Sequence, residues 1–179
     1  MTLPFPRGGF RVDELLIRPP VLEDVAVIAP AFTDPDVGGE AGLPPLTELE
    51  LRAFMQRDLP AMQSSGYLSP FVIVERSGAV VGGITLHHHD DQRSRIEVGY
   101  WLLPGGRGRG IATRSVRTLA DHVHANGVLR LEAVVRPENE RSIRVLERLG
   151  FTREGRLRSF LRYGDGRADA FIYSLLPGE

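Results

Sequence analysis

The chain has 179 residues, 42% of them hydrophobic and 25% charged, with a net charge of -1. That is the balance of one ordinary folded domain spanning 1–179, long enough to bury a core. Cysteine is absent, which excludes disulfide staples, a thiolate nucleophile and zinc–thiolate sites. Lysine is absent too, which excludes a Walker-type phosphate loop and Schiff-base chemistry. The near-zero charge argues against a nucleic-acid partner. No stretch reaches the roughly 18 uninterrupted apolar residues of a membrane span. The amino terminus lacks a signal-peptide pattern, so the expected location is cytoplasmic. Charge is uneven: residues 1–66 hold five Arg and ten acids, residues 93–179 sixteen Arg and ten acids.

Leu15–Arg18 reads as a first strand, stopped by Pro19-Pro20. Val21–Phe32 has helical spacing, with Glu23 and Asp24 in the first turn where the helix dipole favours acids. A Gly- and Pro-rich loop leads to a second helix, Thr47–Gln63, opened by the capping-box pair Thr47 and Glu50. The apolar period then shortens to two. Phe71–Val74 and Val80–Leu86, joined by Ser77-Gly78, form a hairpin, and Ile96–Leu103 is a further strand. After Pro104 comes Gly105-Gly106-Arg107-Gly108-Arg109-Gly110, running into a helix with Ala112, Val116, Leu119, Ala120 and Val123 on one face and Asn126-Gly127 as its stop. Leu129–Val135 is a strand. Asn139 caps a short helix that Gly150 ends. Two strands around Thr152–Leu161 and Ala168–Leu175 close the chain, with Gly164-Asp165-Gly166 as their turn. The order β-α-α-β-β-β-α-β-α-β-β gives seven strands and four helices. It predicts an α/β (α+β) fold with a mixed, mostly antiparallel sheet.

The strongest chemical signal is strand, glycine loop and helix over 96–125. Amides at a helix start lack partners and carry partial positive charge, and glycines allow close approach, so the loop suits a phosphate or pyrophosphate. Arg107 and Arg109, with Arg114 one turn on, add charge. A dinucleotide fingerprint would need a third glycine where Thr113 stands, although Glu132 lies at ribose-binding distance along the chain. A nicotinamide oxidoreductase is therefore the weaker alternative. His87, His89 and Asp91 invite a metal reading, but strand-end turns often carry such residues without binding anything, and no metal is expected.

Three segments resemble one family. Arg107–Ala112 is similar to the R/Q-x-x-G-x-G/A loop of the GCN5-related N-acetyltransferases (GNAT superfamily). Pro137–Phe151 resembles that family's second signature, and Glu97–Pro104 its splayed fourth strand. Together they resemble the ribosomal-protein alanine N-acetyltransferase subgroup. The resemblance implies a GNAT fold and acetyl-CoA as cosubstrate, with acetyl passed directly to a primary amine, either a peptide N-terminus or a small molecule. It implies that Arg107, Gly108, Arg109, Gly110, Ile111, Ala112 and Thr113 hold the pyrophosphate. The backbone of Leu102 and Leu103 would pair with pantetheine as an added strand, Asn139 would bond the pantetheine side, and Ser142 would lie beside the sulfur. Many members carry a tyrosine acid where this chain has Leu146, which leaves a non-catalytic acyl-CoA-binding module as an alternative. Glu97, where the fourth strand starts, is the expected base, or else a surface acid paired with Arg93 or Arg95. An α-amine of pKa ~8 costs only about 1.4 kcal/mol to neutralise at pH 7, so a weak base suffices. Tyr100 and His87 are acceptor-binding candidates, and the loop 34–46 and the hairpin near Tyr163 should shape the pocket. An exposed late strand edge could pair with a second copy in a homodimer.

Overall fold

The computed structural model describes residues 3–6, 8–39, 41–90 and 94–179. Among the described residues eight strands form one sheet in the order β1-β2-β3-β4-β5-β6-β8-β7: β1 Phe10–Val12, β2 Leu15–Arg18, β3 Leu68–Glu75, β4 Val80–Asp90, β5 Arg95–Leu102, β6 Arg130–Val135, β7 Thr152–Tyr163 and β8 Gly166–Leu175. Every neighbouring pair is antiparallel except β5 with β6. The helices are α1 Val25–Thr33, α2 Glu48–Arg57, α3 Leu59–Ser64, α4 Ile111–Ala125 and α5 Glu140–Arg148. Among the described residues no helix is long and apolar enough to cross a membrane. One parallel pair in eight strands is incompatible with the doubly wound sheet of a nicotinamide enzyme, so that alternative fails.

The sheet gains one strand over the sequence expectation, because Phe10–Val12 folds back on β2 in register Phe10↔Ile17. The second helix breaks in two at Asp58, with Pro60 in the first turn of α3. A proline lacks the N–H that would continue the ladder but fits a helix start. The first helix begins as a 3-10 turn, Leu22–Asp24, before α1. Asp24 fixes that corner by accepting from the Val21 amide at 2.8 Å and from Arg18 at 2.7 Å.

Two apolar layers cover the two faces. On one, α4 packs Ile111, Val116, Leu119 and Val123 against Ile73, Ile84, Ile96, Val98 and Leu131 of the sheet, joined by Leu146 of α5. On the other, Val25, Ile28 and Ala29 of α1 and Leu51 of α2 pack against Val72, Val74 and Trp101. Period-two alternation sorts β5 between them. Ile96, Val98, Tyr100 and Leu102 face α4 and α5, whereas Arg95, Glu97, Gly99 and Trp101 face α1 and α2. Gly83 stands opposite Trp101, and a Cβ there would lie 2.6 Å from the indole Nε1, so a glycine is what lets the ring lie on the sheet.

Candidate active site

β5 and β6 pair only over Arg95–Glu97 and Arg130–Glu132. Beyond that point β5 continues to Leu102 beside β4, while β6 follows β8, so the sheet splays open. The Leu103 amide donates to Val81 O at 3.0 Å. Alternation along an antiparallel ladder therefore turns the main-chain groups of Leu102 and Tyr100 toward the gap. This corrects one sequence expectation. Leu103 spends its amide on β4 and cannot extend a ligand strand, whereas Tyr100 offers main-chain groups that the sequence reading assigned to no ligand. The Leu102 carbonyl already accepts from Arg107 Nε at 3.2 Å. A cleft of about 1700 Å³ runs through the gap and opens on both faces of the sheet. A pocket for one drug-sized ligand is typically 300–1,000 Å³, so this one has room for two.

At its α4 end the cleft meets the glycine loop. Gly108 and Gly110 have φ of 73° and 70°, which L side chains rarely adopt. Gly110 is the N-cap of α4 with no side chain capping it, and the helix ladder starts with Arg114 N to Gly110 O at 3.0 Å. Among the described residues the amides from Gly108 to Thr113 make no turn, loop or cap bond of ordinary geometry to another main-chain group. They form a run of donors at a helix start, the arrangement that binds a pyrophosphate. The Arg107 amide is different, since it closes a turn onto Pro104 O at 3.2 Å.

The arginine side chains depart from expectation. Arg109 pairs with Glu75 of β3 at 2.6 Å and lies outside the cleft lining, so only its amide remains available there. Arg114 is held by Asp13 and Glu14 at 2.8 and 2.9 Å. Arg107 lines the cleft, but its Nη2 donates to Asp36 O at 2.6 Å, which ties the phosphate loop to the loop over 34–46. The donors that this end of the cleft offers are therefore chiefly main-chain nitrogens.

Across the gap, Asn139 caps α5 by accepting from the Ser142 amide at 3.0 Å. Ser142 Oγ is 2.7 Å from the Tyr100 hydroxyl. Burial pushes the Tyr100 phenol up to about 12, against the pull of its bond to Ser142, so it stays a neutral donor. Tyr100 thus lies on the opposite face of β5 from Glu97 and does not share a floor with it, contrary to its expected acceptor role. Leu146, where a family acid would stand, is fully buried in the core. Replacing Asn139 with alanine should cost about 1 kcal/mol of stability and loosen Ser142; chemical denaturation and the reaction rate of the variant check both.

Glu97 sits on the α1–α2 face, half-buried, directly opposite His87 of β4, whose Nε2 lies 3.4 Å from its Oε1. The Arg95 guanidinium bonds Glu132 at 2.9 Å, and Arg130 holds the other Glu132 oxygen at 2.7 Å. Glu132, considered above for a ribose, is thus a structural acid between two arginines. Burial pushes the Glu97 carboxyl up to about 7, the nearby Glu132 charge adds to this, and Arg95 opposes it. A base poised near neutrality is what proton abstraction requires. Arg93 and Asp91 lie outside the described residues, as does the His89 side chain. The loop over 34–46 and the tip of the β7–β8 hairpin both line the cleft as expected. The sequence reading missed Arg136, which lies over the Tyr163 ring at 3.6 Å, and the apolar residues Phe32, Phe54 and Met55. Their helical spacing marks a buried stripe without saying whether protein or ligand buries it.

The family model for the acetyltransferase (GNAT) domain matches residues 14–152. The chain belongs to the GNAT acetyltransferase family. It is 30% identical over 169 residues to the uncharacterized N-acetyltransferase p20 of Bacillus licheniformis, covering 93% of this chain and 95% of that one. It is 35% identical over 103 residues to the putative ribosomal N-acetyltransferase YdaF of Bacillus subtilis, covering 57% and 56% of the two chains. Among solved structures, RimJ of Mycobacterium smegmatis in complex with CoA-disulfide superposes with a TM-score of 0.78 at 28% identity, over 91% of this chain and 82% of that one. The GNAT enzyme uses acetyl-CoA as cosubstrate and transfers its acetyl group to an amine. The amides from Gly108 to Thr113 fit the pyrophosphate of that molecule. The non-catalytic alternative is set aside with the family assignment.

Proposed function

We propose that the span 1–179 is one catalytic domain, working in the cytoplasm, in which acetyl-CoA threads the β5–β6 gap and an amine enters from the α1–α2 side. The observation that carries this is the run of helix-start amides at one end of a cleft whose far face presents Glu97. The amides from Gly108 to Thr113 hold the pyrophosphate. Main-chain groups of Tyr100 and Leu102 position the pantetheine arm, with Asn139 and Ser142 on its α5 side.

Glu97 takes a proton from the acceptor ammonium, and the neutral amine attacks the thioester carbonyl. The tetrahedral intermediate collapses with cleavage of the C–S bond. The second nitrogen proton passes to solvent, and the thiolate leaves toward Ser142. Ser142 hydrogen-bonds the leaving sulfur and Tyr100 hydrogen-bonds Ser142, a two-hydroxyl relay in place of the family tyrosine acid, and the thiolate takes its proton from solvent. His87 holds the Glu97 carboxylate and lies beside the incoming amine. No thioester intermediate forms on the protein, because the chain has no cysteine.

Calorimetric titration with acetyl-CoA, followed by thiol release against an amine panel, tests this; absence of CoA binding would end it. Hydrogen bonds to charged groups contribute about 1.5–3 kcal/mol. Ser142→Ala and Tyr100→Phe should therefore each lower kcat about 10- to 100-fold while CoA affinity stays within about twofold. The double variant should be little worse than either single one, because the two hydroxyls act in series. Fully additive losses measured by steady-state kinetics would break the relay.

A further inference from the structure

Resting on that reading, we infer that the acceptor is a primary amine carried on an uncharged apolar skeleton, and that polyamines are poor substrates. The α1–α3 wall of the cleft presents Phe32, Leu51, Phe54, Met55 and Leu59. The sheet beneath it contributes Leu68, Pro70 and Trp101 on the same face as Glu97. The sequence of α2, ELELRAFMQR, is strongly charged, yet none of its charged side chains lines the cleft. Glu48 pairs with Arg52 at 2.9 Å and Glu50 closes the capping box on Thr47, so these charges are spent on the helix itself.

Among the described residues, the only carboxylates lining this half of the cleft are Glu97 and Asp36, and Glu97 is committed to the reacting nitrogen. Glu138 and Glu140 line the α5 end, on the coenzyme side. A second ammonium on the acceptor would therefore lose water against Phe, Leu and Met side chains, with only the exposed Asp36 left among the described carboxylates of this half to offset it. An apolar group of the size of a leucine or phenylalanine side chain gains contact with the same wall. In a hydrophobic pocket even one methylene is worth roughly 10- to 200-fold in kcat/KM.

The test uses the full chain with saturating acetyl-CoA and reads thiol release from phenethylamine, peptides beginning with Leu or Phe, a peptide beginning with Ser, and spermidine. The apolar amines should exceed both spermidine and the Ser peptide by at least about tenfold in kcat/KM. Whether phenethylamine or the peptides react faster assigns the source of the apolar amine. Phe54→Asp, with Met55→Glu as a second variant should the first fold poorly, should lower turnover of the apolar amines about tenfold and raise that of spermidine, with CoA affinity by titration unchanged. Equal or preferred use of spermidine or the Ser peptide overturns the inference, and so does the absence of turnover with every apolar amine while CoA still binds. Absence of CoA binding strikes instead at the acetyltransfer reading.

Discussion

Glu97→Gln should abolish most turnover and, at alkaline pH, make the protein more stable. A positioned general base contributes typically about 10²–10⁴-fold, so kcat/KM should fall by that factor. The wild-type rate should climb with pH through about 7, where the Glu97 carboxyl titrates, and the residual rate of the variant should lose that step. The stability effect follows from the same burial. The folded-state pKa of about 7 lies above the ordinary 4.5, so the folded state favours the protonated form. Below pH 4.5 the carboxyl is protonated in both states and contributes no penalty. As pH rises from there through 7 the native state must ionise a half-buried group beside Glu132, and stability is lost progressively. A shift of this size corresponds to at most about 3 kcal/mol, reduced by the solvent that still reaches the side chain. Glutamine is isosteric and carries no charge. Melting curves should therefore coincide near pH 4–5 and separate in favour of the variant by pH 8–9. An equal gap at both ends would mean that ionisation is not the cause.

Gly110→Val should weaken CoA binding by about 100-fold or more while costing the fold only about 1–2 kcal/mol. At φ 70° an L side chain is strained, and relieving that strain rotates the Gly110 and Ile111 amides that would face the pyrophosphate. A Cβ at this position meets no protein atom within 4 Å, so packing does not oppose it; it would project into space that the proposed CoA pyrophosphate needs. Gly127 is the matched control. It too has positive φ, 87°, and open space around its Cβ, but it lies past the other end of α4. Gly127→Val should lower the melting temperature by a comparable few degrees and leave CoA affinity alone. If calorimetry gave the two variants the same affinity for CoA, the glycine loop would not be the anion site.

Much of the site was legible because it is local. The strand–glycine–helix order, the stop at Asn126-Gly127 and the cap at Asn139 depend on residues within a turn of one another. The apolar face of α4 appears in the structure as read, with Ile111 and Ser115 added to it. The separation of Glu97 from Tyr100 onto opposite faces follows from the strand period alone, and could have excluded Tyr100 from the acceptor floor without coordinates. The start of β1 was illegible because three residues, Phe10–Val12, have no period of their own and become a strand only by pairing with β2.

Sequence by itself determined the family, the element order from Leu15 onward apart from the break at Asp58, the strand–glycine loop–helix unit and the absence of cysteine or lysine chemistry, since these reside in residue identity and short-range dihedral preference. Tertiary structure decided where the charges go. Arg109 meets Glu75, and Arg114 meets Asp13 and Glu14 from about a hundred residues away. It also decided that the Glu97 carboxyl is pushed up to about 7, because that requires water to be partly withdrawn and Glu132 to arrive beside it through the parallel β5–β6 pair. Electrostatic partners and desolvation depend on distances of a few ångströms between segments far apart in the chain, and only the folded sheet sets those distances.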